Sequence, residues 1–135
     1  FWVADADGSA PAPDFVEIHD LVERAQAAGR AEARAGTAFA SIDGAARALI
    51  DAGGYGDAFF HRLGHGIGLE VHEEPYVIWD NAETAVAGDT FSIEPGIYLE
   101  GRHGVRIEDV VVCTQQGGVS LNSTERGLRV LSTVR

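Results

Sequence analysis

The hydrophobic period of the chain changes once, near Tyr55, and this change limits the folds that are open to it. Before this point apolar residues recur every three or four positions, which is typical of amphipathic helices. The first run extends from Phe15 to a stop near Gly36, and the second from Ser41, a plausible N-cap, to a stop at residues 53–54. We therefore expect two helices that serve as scaffold.

Short β-like runs bounded by glycine follow the two helical segments. They cover residues 59–60, 67–71, 91–93, 105–112 and 128–131, and residues 1–4 look like the end of a further strand. Helices that precede strands indicate an α+β fold, with an antiparallel sheet and flanking helices, rather than a repeat of parallel βαβ units.

The composition of the 135-residue chain excludes several classes of partner. The 21 acidic residues outnumber the 10 basic ones, and no basic cluster would offset repulsion by a nucleic acid. No apolar run approaches the roughly 20 residues that cross a bilayer, and the N-terminus does not look like a signal peptide. The single cysteine, Cys113, cannot form an internal disulfide. We expect no nucleic-acid or membrane partner, and a cytoplasmic location.

The stretch HRLGHGIGLEVHE, residues 61–73, places three histidines among three glycines. The spacing of His61 and His65 would suit a zinc pair on a helix, but the glycines argue against a helix there. Strand alternation over residues 67–72 would put His72 on a face that also carries glycine. A metal cluster or a substrate backbone could approach such a face without meeting a Cβ atom.

Two later stretches, FSIEPGIY at residues 91–98 and VRIEDVVV at residues 105–112, place charged residues in apolar strands. Strand alternation turns Glu94 away from the apolar face and puts Arg106 and Glu108 on one face. If the strands that hold the two glutamates pair, their carboxylates meet a histidine, and repulsion requires a proton or a cation between them. These ligands suit Mn²⁺, Co²⁺, Fe²⁺ or Zn²⁺, and a shared carboxylate suits a dinuclear hydrolase.

A purely structural interpretation stays open for each of these residues. Arg106 and Glu108 would form an ion pair within a sheet, and Glu94 would lie on an exposed turn. A lone histidine is more often a residue that hydrogen-bonds to its neighbours than a ligand. His19 and His103 lack a glycine-rich setting, and we expect both at the surface.

In order and spacing, HRLGHGIGLEVHEEP, FSIEPGIY and VRIEDVVV resemble the peptidase family with the pita-bread (creatinase/aminopeptidase) fold. This family includes methionine aminopeptidases, Xaa-Pro aminopeptidases and prolidases, and the similarity runs from residue 1 to about residue 131. The chain contains no methionine and begins at Phe1. We therefore expect residues 1–135 to be the C-terminal portion of a pita-bread catalytic domain, without the upstream strands and without any N-terminal domain.

The resemblance implies that His65, Glu94 and Glu108 bind two divalent metal ions, with Glu108 bridging them. Manganese is the first choice of metal, ahead of cobalt, zinc or iron. The family supplies two further ligands, both aspartates, from upstream strands that are absent here. Three ligands of five should bind metal weakly, which would leave this chain inactive on its own.

The resemblance also implies catalytic roles for His61, His72, Glu94 and Arg106. A metal-bridging water attacks the scissile carbonyl in this family, and the carboxylate that matches Glu94 handles its proton. His61 and His72 would contact substrate, with His72 steadying the oxyanion, and Arg106 would orient carboxylates or substrate.

The histidine at position 61, together with EPGIY and RIED, is similar to the Xaa-Pro branch of the family. The expected activity is therefore that of a metal-dependent exopeptidase, which releases the first residue from a peptide or dipeptide with proline at the second position. The full-length form would be a homodimer.

Two other readings of the resemblance remain. One is a binding or regulatory protein that keeps the pita-bread scaffold without catalysis. The other is a metal-independent hydrolase of a small nitrogenous substrate. Retention of the histidine and glutamate pattern counts against both. The aspartates Asp5, Asp7 and Asp14 follow the segment that the family's ligands precede, so they are not assigned as metal ligands.

Overall fold

The computed structural model describes residues 1–4 and 8–132, so Asp5 and Asp7 lie outside the described residues. Helix α1 spans Pro13–Glu32 and helix α2 spans Phe39–Ala52, and a short 3-10 turn follows at Gly56–Ala58. Neither helix within the described ranges is long and apolar enough to cross a membrane.

Nine short strands lie within the described residues. They are β1 (Trp2–Ala4), β2 (Gly64–Gly66), β3 (Glu73–Val77), β4 (Thr90–Ile93), β5 (Gly96–Leu99), β6 (His103–Arg106), β7 (Asp109–Cys113), β8 (Gly118–Ser120) and β9 (Val130–Ser132). The main sheet has the order β3-β2-β4-β7-β8, and every neighbouring pair in it is antiparallel. The α+β prediction is confirmed, although β1 and β9 form a small parallel pair that the sequence did not predict.

Helix α2 begins at Phe39 rather than at Ser41. The first amide groups of a helix need acceptors from outside it, and here a loop supplies them. The amide of Phe39 donates to the carbonyl of Glu83 over 2.9 Å, and the amide of Ala40 donates to the carbonyl of Asn81 over 2.8 Å. Because backbone carbonyls cap the helix, no serine is needed at its start.

Helix α1 ends at Glu32, before the predicted stop at Gly36. The residues that follow pair with other segments instead of continuing the helix. The amide of Ala35 donates to the carbonyl of Thr114 over 2.9 Å, and the amide of Gly36 donates to the carbonyl of Ala85 over 2.8 Å. These bonds anchor the end of α1 to the end of the sheet.

The two helices pack against each other and against strands that include β3, β4, β6 and β8. Their buried faces share one core with the sheet. The largest buried apolar side chains are Ile18, Val22, Phe39, Ile42, Ile50, Phe59, Leu63, Val77, Phe91, Ile93 and Ile97. Each such side chain stabilises the fold by about 1.5–3 kcal/mol relative to exposure, so the core fixes the sheet on which the site is built.

The run over residues 105–112, predicted as one strand, is two strands. β6 pairs with β5, whereas β7 pairs with β4 in the main sheet. β5 lies beyond the bend at Pro95, and the amide of Ile107 donates to the Pro95 carbonyl over 3.4 Å. The chain therefore bends at Ile107 and Glu108 as it passes from one sheet to the other.

Two further strand predictions are wrong. Residues 59–60 follow the 3-10 turn and form no strand, and residues 67–71 form a loop between β2 and β3. Leu69 is 102% exposed and Val71 is 73% exposed, so the apolar residues of that alternating run do not face a core. The antiparallel return from β2 to β3 needs a connection, and this segment provides it.

Candidate active site

Strand pairing brings two glutamates and a histidine together. In the antiparallel pair of β4 and β7, Ile93 lies opposite Asp109. Glu94 follows β4 and Glu108 precedes β7, so both lie at the same end of this pair. His65 lies in β2, on the other side of β4. One ligand atom from each of His65, Glu94 and Glu108 lies within 4.8 Å of the others.

His65 is 5% exposed, and the polar atoms around it fix its ring. Its Nδ1 lies 3.0 Å from the carbonyl oxygen of Gly66. Because a carbonyl only accepts hydrogen bonds, Nδ1 carries a proton, and Nε2 is the ring nitrogen that faces the cluster. That Nε2 lies 3.1 Å from Oε1 of Glu94. A lone pair and a carboxylate at this distance need a proton or a cation between them.

Glu94 is the central residue of the cluster and is 8% exposed. The Ser92 hydroxyl accepts a bond of 3.0 Å from the His65 amide and donates one of 2.9 Å to Oε1 of Glu94. The other oxygen, Oε2, lies 3.3 Å from Nη1 of Arg106. Buried charge of this kind is stable only when it is paired, and these contacts supply part of the pairing.

Glu108 is the most exposed of the three clustered residues. Partial burial raises the pKa of its carboxyl, and the nearby charge of Glu94 raises it further. His65 and Arg106 act in the opposite direction. Two carboxylates therefore lie close together in this structure, and their mutual repulsion is what a cation would relieve.

A second group of contacts joins His61 to the cluster. Its Nδ1 lies 2.7 Å from the carbonyl of Arg62, so Nδ1 carries the proton, and its Nε2 lies 3.3 Å from Nη2 of Arg106. Burial lowers the pKa of His61, the bond to Arg62 opposes this, and the Arg106 charge lowers it further. A neutral His61 thus accepts a hydrogen bond from Arg106.

The structural alternatives considered for Arg106 and Glu94 are wrong. The ion-pair partner of Arg106 is Glu94 rather than Glu108. Glu94 is buried beside the main sheet instead of lying on an exposed turn.

His72 reaches the cluster from a loop, not from the predicted strand. Its ring centroid lies 4.4 Å from that of His65, with the two planes inclined by 60°. The loop folds over the side chain of Glu73, whose Oε2 accepts a 3.1 Å bond from the Glu70 amide. The prediction that strand alternation would aim His72 is therefore wrong, although the side chain lies beside His65.

The glycines of this stretch make room for the protein itself. A Cβ at Gly64 would overlap the carbonyl oxygen of Ser92, and one at Gly66 would overlap the carbonyl of Glu74. A Cβ at Gly68 would overlap the carboxylate of Glu73. The expectation that they leave space for a metal cluster or a substrate is thus wrong, because neighbouring strands and the loop occupy that space.

A cleft of about 450 Å³ opens onto Glu94. Its polar lining includes His61, His72 and Arg106, and its apolar lining includes Phe60 and Trp79. Both aromatic side chains are largely exposed, so the cleft offers an apolar wall next to a polar, charged floor. Small-molecule sites commonly combine these two features.

Sequence reasoning missed a buried ion pair on α2 that hydrogen-bonds to the backbone of Phe59 and His61. Asp43 is 0% exposed and forms two bonds with Arg47, of 2.7 and 3.0 Å. A signal was present, because Asp43 falls between Ile42 and Ala46 on the apolar face of the helix and Arg47 follows it by one turn.

The expectation that His19 and His103 lie at the surface is also wrong. His19 is 7% exposed, in the buried face of α1. His103 is partly buried, with Nε2 3.0 Å from Oδ2 of Asp14 and its ring against that of Phe15. Asp14 also pairs with Arg102.

Solved structures that superpose on this chain include peptidases. The dipeptidase PepE from Mycobacterium ulcerans superposes with a TM-score of 0.89 at 46% identity, over 93% of this chain and 34% of that one. The X-Pro aminopeptidase from Thermotoga maritima gives 0.86 at 40% identity, over 93% of this chain and 35% of that one. The pita-bread fold that the resemblance implied is therefore confirmed.

Sequence comparison gives the family. Residues 2–115 match metallopeptidase family M24, and the chain belongs to this family. The Xaa-Pro dipeptidase of Lactobacillus delbrueckii subsp. lactis is 45% identical over 121 residues, which is 90% of this chain and 33% of that protein. The chain thus spans about a third of the length of the relatives it matches.

Proposed function

We propose that this chain is the C-terminal portion of the catalytic domain of a metal-dependent exopeptidase that hydrolyses the Xaa-Pro bond at the N-terminus of peptides or dipeptides. The convergence of His65, Glu94 and Glu108 within 4.8 Å carries the proposal. Its membership of a metallopeptidase family and its 45% identity to an Xaa-Pro dipeptidase support the choice of reaction. The chain spans a third of the length of that relative, which supports its assignment as part of a domain.

The residues present fit a divalent cation. Two carboxylates and one imidazole are the ligand set that Mn²⁺, Co²⁺, Fe²⁺ or Zn²⁺ accepts. The Nδ1 proton of His65 goes to a backbone carbonyl, which is how histidine ligands are commonly oriented by their surroundings. Within the proposal two ions, manganese first among the candidates, would be held by these residues, and Glu108 would be the ligand common to both. A bound ion would supply Lewis acidity and a water of lowered pKa.

The chain's own residues would divide the remaining work. Oε2 of Glu94, beside Arg106, would accept the proton of the attacking water and pass it to the leaving nitrogen. His72, whose ring lies beside that of His65, would donate a hydrogen bond to the oxyanion. Arg106 would hold the Glu94 carboxylate and His61 in one orientation, and His61 would contact the substrate.

The cleft supports a compact apolar residue at the second position of the substrate. Phe60 and Trp79 present aromatic surface next to the charged cluster, and a proline ring is a suitable occupant of such a wall. The proposal includes a homodimeric full-length form and a cytoplasmic location, which rest on the resemblance and on the use of a single cysteine rather than on the geometry of the site.

The experiment that tests this function compares Ala-Pro with Ala-Ala as substrates of the full-length protein. We expect Mn²⁺-dependent hydrolysis of Ala-Pro that stops on chelation and returns on adding Mn²⁺. Glu94→Gln should lower kcat by about a hundredfold or more, as expected for loss of a proton-transfer group. A rate that is indifferent to metal and chelator would contradict the mechanism, and equal cleavage of Ala-Ala would contradict the substrate assignment.

A further inference from the structure

We propose that Arg47, held by Asp43, is a positioning residue that orients His61 in the cleft. The inference rests on the proposed function only in that it takes this cleft as the substrate site. It concerns a part of α2 that contributes no side chain to the metal cluster.

The ion pair is rigid. Nε and Nη2 of Arg47 donate to the two oxygens of Asp43, over 2.7 and 3.0 Å. This two-bond geometry fixes the plane of the guanidinium, and full burial of Asp43 removes competition from water. Because both residues belong to one helix, the donors that remain on Arg47 point in a fixed direction.

Those donors form hydrogen bonds with the backbone that leads into the cleft. Nη1 of Arg47 donates to the carbonyl of Phe59 over 2.9 Å, and Nη2 donates to the carbonyl of His61 over 3.0 Å. Oδ1 of Asp43 also lies 3.2 Å from the amide of Leu63. The pair thus binds this segment at three alternate residues, and the residues between the end points line the cleft.

The segment that these hydrogen bonds hold, residues 59–63, belongs to no helix or strand. Irregular backbone that runs beside a core leaves carbonyl groups that must find partners. Arg47 and Asp43 supply those partners, in the way that a neighbouring strand would. Without these two side chains, the Leu63 amide keeps its bond to the Val77 carbonyl. The carbonyls of Phe59 and His61, however, lose the donor that Arg47 supplies.

The same arginine also contacts the aromatic ring against which the His61 ring packs. Its guanidinium carbon lies 4.1 Å from the centroid of the Phe59 ring. The Phe59 ring meets the His61 ring edge to face, with centroids 4.9 Å apart. His61 then presents Nε2 to Arg106, whose other nitrogen reaches Glu94. Contacts that begin at Arg47 therefore act on the orientation of His61 together with the bond from its Nδ1 to the Arg62 carbonyl.

The test replaces Arg47 by lysine in the full-length protein and reads the tautomer of His61 by imidazole nitrogen NMR. Lysine keeps the charge next to Asp43 but cannot hold a carboxylate and two carbonyls in one plane. We expect the parent to show His61 protonated at Nδ1, and Arg47→Lys to show averaged ring nitrogens. His65 should keep its signature in both proteins.

The matched control is Arg24→Lys. Arg24 forms the same kind of pair, one helical turn after Asp20, but on the exposed face of α1. It should leave the His61 signals unchanged. A folded Arg47→Lys chain whose His61 retains a single Nδ1-protonated tautomer would overturn the proposal.

A second measurement, made on the parent alone, tests the proposal if Arg47→Lys does not fold. In the parent, averaging of the Nη protons of Arg47 on warming would report release of its guanidinium. We expect the two ring nitrogens of His61 to average at the same temperature. A His61 tautomer that persists after the guanidinium rotates freely would overturn the proposal equally.

Mn²⁺ titration separates this inference from the proposed function. No contact joins Arg47 to His65, Glu94 or Glu108 among the described residues. Folded Arg47→Lys should therefore bind Mn²⁺ within about twofold of the parent, a change too small to signal a lost ligand. Failure of the full-length protein to bind Mn²⁺ would contradict the proposed function and leave the tautomer result to decide the positioning role.

Discussion

Ile93 pairs with Asp109 across β4 and β7, and this register brings Glu94 to Glu108. A slip of one residue in a strand turns its side chains to the opposite face of the sheet. The core residues Phe91 and Val111 are themselves paired in the same register, so burial of apolar side chains fixes the position of the carboxylates. Packing energy therefore holds two like charges together at the candidate site.

Gly64→Ala should destabilise the fold. The added Cβ would overlap the carbonyl oxygen of Ser92, a backbone atom of the neighbouring strand that cannot move without disturbing β4. Overpacking of this kind costs about 1–3 kcal/mol of unfolding free energy. Urea unfolding followed by circular dichroism measures the change.

The matched control for this prediction is Gly44→Ala. Gly44 lies in α2, and a Cβ there would meet no atom within 4 Å. Alanine is the better helix former, so this variant should gain about 0.5–1 kcal/mol. Equal effects of the two substitutions would show that the close approach of Gly64 to Ser92 does not exist in solution.

Acidification should destabilise the chain in part through His19. Burial lowers the pKa of His19 from its ordinary value of 6.5, and Glu23 opposes this. The unfolded chain therefore binds a proton at a higher pH than the folded chain does. The stability from keeping His19 neutral is full above pH 6.5 and falls as the pH drops below that value.

His19→Gln removes this titration without removing the polar side chain. We expect the unfolding free energy of the variant to fall less than that of the parent between about pH 7.5 and pH 5.5, since only the parent takes up this proton on unfolding. Parallel curves for parent and variant would contradict the assignment of a lowered pKa to His19.

Asp109→Ala should cost about 3 kcal/mol of unfolding free energy, because it leaves buried partners without their acceptor. The carboxylate accepts bonds from Nε2 of Gln26 over 2.9 Å and from Nε of Arg126 over 2.8 Å. Glu125→Ala is the control, since Glu125 pairs with Arg129 in the open and should change stability by less than about 1 kcal/mol. A loss no larger than that of the control would refute the role of Asp109.

Much of the fold could be predicted from periodicity, and the misses have physical causes. Both helices and β4 appear where apolar spacing indicates them, because their buried faces decide their conformation. The start of α2 was missed because carbonyls of a distant loop cap it, and local sequence does not report such partners. Residues 67–71 show the alternation of apolar and polar residues that is typical of a strand, but they connect two strands. The pattern alone therefore gave a wrong prediction.

The candidate site was predictable as a set of residues but not as a geometry. His65, Glu94 and Glu108 were singled out from motifs, and the structure brings them together. The partners that orient them, such as Ser92 and the Gly66 carbonyl, depend on strand pairing and on the bulge after His65. Asp43 and Arg47 were missed because their contacts with the irregular backbone of residues 59–63 are tertiary, and local sequence does not report them.

The most direct test of the account is a titration of the full-length protein with Mn²⁺, followed by electron paramagnetic resonance of the free ion. The parent, His65→Asn and Glu94→Gln are compared, with Glu125→Gln as the control for loss of an exposed carboxylate. We predict saturable binding to the parent and the control, weakened by about tenfold or more in the two site variants. Equal Mn²⁺ affinity in all four proteins, with each of them folded, would contradict the claim that this cluster is a cation site.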